Sequence, residues 1–240
     1  QLRFWTSFFR QAKGSNIIWN ADLINRNQKN LLYGDDFTFT YVEDAYDAAE
    51  KISEIYQEEL EKNGGDLNMV QVLSPLRAKT EAGVTALNNR LQGIANPFAV
   101  DKAEWQTKYG LFRVGDRVMQ THNTEEIANG DIGRVVQIGK SKAGEMEMTV
   151  DFGDVIKTYQ EDELSILELA YATSIHKSQG AEFPIVIIPV LTCFWPMLKR
   201  NIYYTGVTRQ NFGFILLDQR KLSIWQFPTV ISAREIPCWQ

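Results

Sequence analysis

Apolar side chains keep a helical period over the first quarter of the chain, form short alternating runs through the middle, and fall into mixed helical and continuous runs towards the end. Residues Ser15 to Arg26 set Ile17, Ile18, Ala21 and Ile24 close to one face, behind Ser15 or Asn16 as the cap, which predicts a short amphipathic helix. A longer helix is predicted over Glu43 to Lys62. There Ala45, Ala48, Ala49, Ile52, Ile55, Tyr56 and Leu60 share a face, while Glu50, Lys51, Glu54, Glu58 and Glu59 stay in water. Asn63-Gly64-Gly65-Asp66 ends it, because glycine tolerates the left-handed conformation that closes a helix. Met69 to Leu73 then reads as a buried strand stopped by Ser74-Pro75, and Thr80 to Gln92 as the next helix. Strand, loop and helix in that order are the unit of an α/β sheet.

The pattern changes between about Leu111 and Leu167. Short β-segments at Arg117 to Gln120, Ile132 to Ile138, Met146 to Phe152 and Val155 to Tyr159 are separated by turn signals such as Asn129-Gly130-Asp131 and Gly153-Asp154. Beyond them the α/β pattern resumes, with a helix expected at Tyr171 to Lys177, a strand at Ile185 to Val190, a helix at Met197 to Val207 and a strand at Phe214 to Leu217. The expected organisation is therefore a discontinuous α/β domain, residues 1–110 and 167–240, interrupted by a small β-barrel at 111–166.

Composition fits a folded chain: 44% of the 240 residues are hydrophobic, unlike the apolar-poor make-up of a disordered protein. The net charge of −5 argues against a nucleic-acid coat protein, yet leaves local contacts to DNA open, because those depend on where Lys and Arg cluster. Cys193 and Cys238 are far apart and lack metal-ligand spacing, which argues against a disulfide framework and against a zinc site, and makes a reducing cytoplasm the expected home. The most apolar stretch, Phe183 to Leu198, contains three prolines and is shorter than the roughly 20 residues a spanning helix needs, so no membrane partner is expected. With Gln1 in first place rather than Met, the expectation is a piece of something longer.

Candidate chemistry concentrates in Ala172-Thr173-Ser174-Ile175-His176-Lys177-Ser178-Gln179-Gly180-Ala181-Glu182-Phe183. Small and polar side chains sit here between two core elements, at a strand end where α/β sheets place their sites. By itself the stretch also fits a capped helix and a tight turn.

This stretch resembles helicase motif V of the RecD and TraA branch of superfamily 1. Tyr203-Tyr204-Thr205-Gly206-Val207-Thr208-Arg209 resembles motif VI of that branch, and Phe8-Phe9-Arg10-Gln11-Ala12, followed by Ser15, Asn20-Ala21 and Ile24-Asn25, resembles motif IV. Ser74-Pro75-Leu76-Arg77-Ala78-Lys79-Thr80-Glu81-Ala82-Gly83, with Leu87-Asn88 and Leu91-Gln92, is similar to the strand and helix that follow. Phe112-Arg113-Val114-Gly115-Asp116-Arg117-Val118-Met119-Gln120 and Asn129-Gly130-Asp131-Ile132-Gly133 resemble the start of that branch's SH3-like insertion. Five matches in order cover nearly the whole chain.

The resemblance implies a RecA-like second motor domain, of the P-loop NTPase type, with an inserted SH3-like barrel. It implies that ATP and Mg²⁺ are bound mainly by a first motor domain upstream in the same protein. Arg10 and Arg209 then become arginine fingers on the γ-phosphate, a role that suits an always-charged, bidentate guanidinium. Gln11, Gln179, Gly180 and Glu182 are the implied nucleotide neighbours, and no side chain is expected to ligate a metal. Thr173, Ser174 and His176, with Arg77, Lys79 and Thr80, are the implied contacts to single-stranded DNA; hydroxyl, imidazole and cationic groups hold phosphates without reading bases. Duplex DNA and nuclease or helicase subunits are further implied partners, and 5′-to-3′ movement is the implied direction.

Departures exist. Gln210-Asn211 follow Arg209 where the family has Ala and a basic residue, and Asp22 stands where many relatives have His. No G-x-x-x-x-G-K-[ST] loop occurs, so this chain alone is expected not to hydrolyse ATP. Two other readings share these residues: a binding module that has lost its motor, which has no need to keep Arg10 with Arg209, and the helicase region of a conjugative relaxase.

Overall fold

The computed structural model describes residues 15–26, 28, 30–178, 180–194 and 200–219. The chain divides into two compact units, one from residues 1–87 with 173–240 and the other from residues 88–172. The second unit contains the whole of the expected 111–166 insertion and extends beyond it at both ends.

In the first unit, α1 (Asn16–Asn25) starts where the Ser15 hydroxyl accepts the Ile17 N–H, so the expected cap is the one used. Strand β1 (Phe37–Tyr41) follows, an element that the apolar pattern does not announce. Helix α2 (Ala45–Lys62) begins behind Asp44, whose carboxylate accepts the N–H groups of Tyr46 and Asp47, and it buries Ala48, Ala49, Ile52, Tyr56 and Leu60. Strand β2 (Val70–Ser74) is buried throughout, and α3 starts at Val84 and ends at Ala95.

The expected helix at 80–92 therefore begins four residues late. Residues 75–83 wrap around Ser74 instead: its hydroxyl donates to the Ala82 carbonyl at 2.8 Å, and the Val84 and Thr85 N–H groups return to the carbonyls of Leu76 and Arg77. Lys79 lies at φ +74°, a left-handed conformation that no helical residue adopts.

The expected helix at 171–177 is overturned. Ala172–Ser174 form a short strand, β10, which joins the edge of the sheet, and the Ile175 N–H donates to the Ser74 carbonyl. Only a single turn follows, in which the Ser174 carbonyl accepts from the N–H groups of Lys177 and Ser178. Strand β11 (Phe183–Val190), α4 (Arg200–Val207) and β12 (Gln210–Asp218) complete the unit.

The sheet order is β1-β12-β11-β2-β10, and the pairs β1–β12, β12–β11 and β11–β2 are parallel. Parallel strands need crossover connections and both faces covered, which is why β2 is buried at every position, Gln71 included, and why Val186 to Ile188 read as a continuous apolar run rather than an alternating one. Helix α2 packs on β2, β11 and β12, α4 packs on β11 and β12, and α1 packs on α4. Phe37 and Phe214, paired in register, stack with ring centres 4.7 Å apart in the core.

The second unit holds a hairpin, β3 (Glu104–Thr107) with β4 (Gly110–Arg113), and an antiparallel sheet in the order β8-β7-β6-β5-β9. Its strands are β5 (Arg117–Gln120), β6 (Ile132–Lys140), β7 (Met146–Asp151), β8 (Ile156–Gln160) and β9 (Leu167–Leu169). The four strands expected between 117 and 159 are all present. Trp105, Phe112, Val118, Val135, Met148, Val150 and Tyr159 form one core. Gly133 is required by close approach, since a Cβ there would stand 2.8 Å from the Asp151 carbonyl oxygen.

Candidate functional site

The sequence candidates fall at two ends of the parallel sheet. At the carboxyl end of β2, the loop 75–83 carries Arg77 and Lys79, both exposed, and Thr80, partly buried. The hydrogen bond from Ile175 to Ser74 brings the end of β10 to the same place, so Thr173, Ser174 and His176 share it with Arg77, Lys79 and Thr80. His176 is exposed on the single turn, while Ser178 is buried and donates to the Ile175 carbonyl at 2.8 Å, which fixes that turn.

Two hydroxyls at this end lack partners. Thr173 Oγ1 and Thr80 Oγ1 are both buried, and neither hydrogen-bonds to a described residue. An unsatisfied buried hydroxyl costs about 1–3 kcal/mol, so a pair of them near one strand end is a place where an outside acceptor or donor would be gained at low cost.

The second group lies at the opposite end, where β11 and β12 begin. The Phe183 N–H donates to the Arg209 carbonyl at 2.7 Å, and Phe183 pairs with Gln210, so Glu182 and Arg209 flank neighbouring strand starts. Gly180 has φ +95° with open space where a side chain would stand, and the Ala181 N–H closes the turn onto the Ser178 carbonyl. Arg209 ends α4 through its N–H to the Gly206 carbonyl; its side-chain Nε is buried and bonds to no described residue. A buried guanidinium nitrogen without an acceptor is poised for an anion. Arg10, Gln11 and Gln179 lie outside the described residues. Among the described residues, no group of three or more His, Cys, Asp or Glu side chains could hold a metal ion, and no helix is long and apolar enough to cross a membrane.

Several residues that carry the sequence resemblance serve structure, through contacts the sequence reading missed. Ser15 Oγ and Asn16 Nδ2 donate to the two carboxylate oxygens of Asp36 at 2.7 and 2.9 Å. Burial pushes the Asp36 carboxyl up, but the hydrogen bonds from Ser15 and Asn16 and from the backbone of Ile17 and Asn16 outweigh it and hold the group below its ordinary range. Asn20 brackets Leu32, accepting its N–H at 2.7 Å and donating to its carbonyl at 2.6 Å. In the second unit, Asn88 does the same for Ala172, and Gln92 Nε2 donates to Asp116. A backbone-matching amide was the available signal, since Asn and Gln each offer one donor group and one acceptor.

A family model described as the SH3 domain of ATP-dependent RecD-like DNA helicases matches residues 87–152, and one described as the UvrD-like helicase C-terminal domain matches residues 169–216. In structure the chain is similar to the Pif1 helicase of Candida albicans, at 18% identity and a TM-score of 0.54, over 95% of this chain and 57% of that one. It is also similar to the Pif1 helicase from Bacteroides in complex with ADP-AlF3 and single-stranded DNA, at 18% identity and a TM-score of 0.53, over 90% and 51%. The fold class is that of a RecA-like α/β domain with a parallel sheet, accompanied by an SH3-like domain. Among curated proteins, the chain is 35% identical to the ATP-dependent RecD2 DNA helicase of Deinococcus radiodurans over 71% of its own length, and 31% identical to the RecBCD enzyme subunit RecD of Haemophilus influenzae over 66%. In sequence it is similar to the RecD-like DNA helicases over these matched stretches. It spans about a fifth of those two relatives, 22% of each.

Proposed function

We propose that this chain is the second motor domain of an ATP-dependent DNA helicase that moves 5′ to 3′ on single-stranded DNA in the cytoplasm. ATP and Mg²⁺ are held mainly by a first motor domain of the same protein, and Gln11, Gln179, Gly180 and Glu182 border the nucleotide from this side. Arg10 and Arg209 reach the γ-phosphate and stabilise the charge that builds as it is transferred to water. Arg77, Lys79, Thr80, Thr173, Ser174 and His176 hold the DNA backbone. Duplex DNA at the fork, and nuclease or helicase subunits, are the further partners of this reading.

The observation that carries it is the junction of α4 and β12, where the Nε of Arg209 is buried with no described partner, next to the start of β11. The two groups of candidates at opposite sheet ends also suit a motor that couples one ligand to another, because closure around nucleotide can then shift the DNA-binding end. Arg209→Ala in the full-length protein is expected to lower DNA-stimulated ATP turnover by about 10³-fold. Nucleotide affinity, measured by fluorescent-analogue titration, is expected to fall far less. An unchanged turnover number removes Arg209 from the role.

A further inference from the structure

Gln210 departs from the resembled motif directly after Arg209, at a position where that family has Ala, and the structure gives its side chain a definite task. The residue is 1% exposed, and its Nε2 donates to the Val207 carbonyl at 2.8 Å. Val207 is the last residue of α4, so its carbonyl lies beyond the helix's own hydrogen-bond ladder and needs a donor from elsewhere. An alanine side chain has no donor to offer.

The bond falls where the register of the sheet is broken. Gln210 opens β12 opposite Phe183, but the next paired residues are Ile185 and Gly213, a step of two on β11 against three on β12. Pro184 lies inside that step and has no N–H to give the ladder. Arg209 therefore sits between a helix end and an irregular strand start. Its N–H donates to the Gly206 carbonyl, and its own carbonyl accepts from the Phe183 N–H. The Gln210 side chain reaches back across Thr208 and Arg209 to Val207 and closes a small ring that encloses both.

We infer that Gln210 is a positioning residue for Arg209. Its buried amide fixes the backbone from which the Arg209 side chain departs, and so aims a guanidinium whose Nε is buried with no described partner. The inference rests on the proposed role of Arg209 at the γ-phosphate. Charge stabilisation in a transition state is steep in distance: a misplacement of about 1 Å can cost on the order of 10²-fold in rate. If the amide served only to end α4, its loss would lower stability and leave the turnover of the folded protein unchanged.

The test is steady-state ATP turnover on single-stranded DNA by the full-length protein carrying Gln210→Met, alone and together with Arg209→Ala. Methionine keeps the length and packing of the side chain and removes the donor. Gln210→Ala is measured beside it, and thermal melting reports the folded fraction of each, so that poor folding of one variant cannot decide the outcome. Gln210→Met is expected to lower kcat about tenfold and to change KM for ATP by less than about twofold. The double variant is expected to turn over at the rate of Arg209→Ala alone, because a residue that acts through another has nothing left to aim. An unchanged kcat in the folded variants, a raised KM without a loss of kcat, or a loss repeated in full on the Arg209→Ala background would each overturn the inference. Arg209→Ala that itself leaves turnover unchanged would instead remove the reading beneath it, and this inference with it.

Discussion

Thr173 is 3% exposed, and its hydroxyl bonds to nothing among the described residues. If the hydroxyl served the fold, it would have a partner; a valine there would keep the shape and remove only the unsatisfied group. Thr173→Val is accordingly expected to leave the melting temperature unchanged or slightly raised while weakening single-stranded DNA binding by roughly fivefold, as for one lost hydrogen bond to phosphate. A destabilised variant with normal DNA affinity would reverse that assignment. Asp36 makes the opposite case. Its folded carboxyl lies below the ordinary 3.8, so its contribution to stability is fully present above that pH and is lost as pH falls through the lower folded value. Urea unfolding of the wild type and Asp36→Asn is expected to differ at neutral pH, with the gap closing as pH falls below 3.8. Roles at this scale were only partly legible in the sequence. Arg209, Thr173 and Gly180 stood out through their motifs, whereas the Asp36 clamp joins residues 20 and 21 apart in sequence, and nothing local pairs them.

Elements were legible where one physical signal dominated. Strand β5 matches its expected bounds, Arg117 to Gln120, and α2 runs to Lys62 as its apolar stripe requires. The stretch at 171–177 misled because small and polar residues have weak preferences of their own. There the open edge of β2 and the hydrogen bond to Ser74 decided for strand, a tertiary effect that overrides propensity. In the second unit the decisive device is Asp116, fully buried, whose carboxylate accepts from Gln92, Asn96, Tyr171 and the Arg113 N–H at 2.6 to 2.8 Å. These bonds tie α3 and the strand ends of the insertion around one charge. Asp116→Ala removes the shared acceptor of four hydrogen bonds, although Gln92 and Asn96 keep their bonds to the Leu111 and Val114 carbonyls, and is expected to destabilise by about 3 kcal/mol, read as a lower urea midpoint. A change within a few tenths of a kcal/mol would mean that water replaces the carboxylate there.

For the molecule as a whole, the order of motifs along the sequence carried more than any one of them. The switch from helical period to short alternating segments is what led to the expected insertion at 111–166; the compact unit, residues 88–172, takes in α3 from Asn88 onward and the β3–β4 hairpin as well. Those additions were not visible beforehand because Asn88, Gln92 and Asn96 look like the polar side of a helix until Asp116 and the carbonyls they bind are placed opposite them. The parallel sheet then separates the two sets of candidates, with the proposed DNA contacts past β2 and Arg209 before β12, at opposite strand ends. The proposal that they belong to one motor rests on a nucleotide reached from this side by arginines. The most direct test is a structure of the full-length protein with a γ-phosphate analogue and single-stranded DNA. The account predicts the guanidinium groups of Arg10 and Arg209 within about 3 Å of the analogue's oxygens, as charge-assisted hydrogen bonds require. Arginines turned away from the nucleotide, or a nucleotide bound with no contribution from this domain, would contradict it.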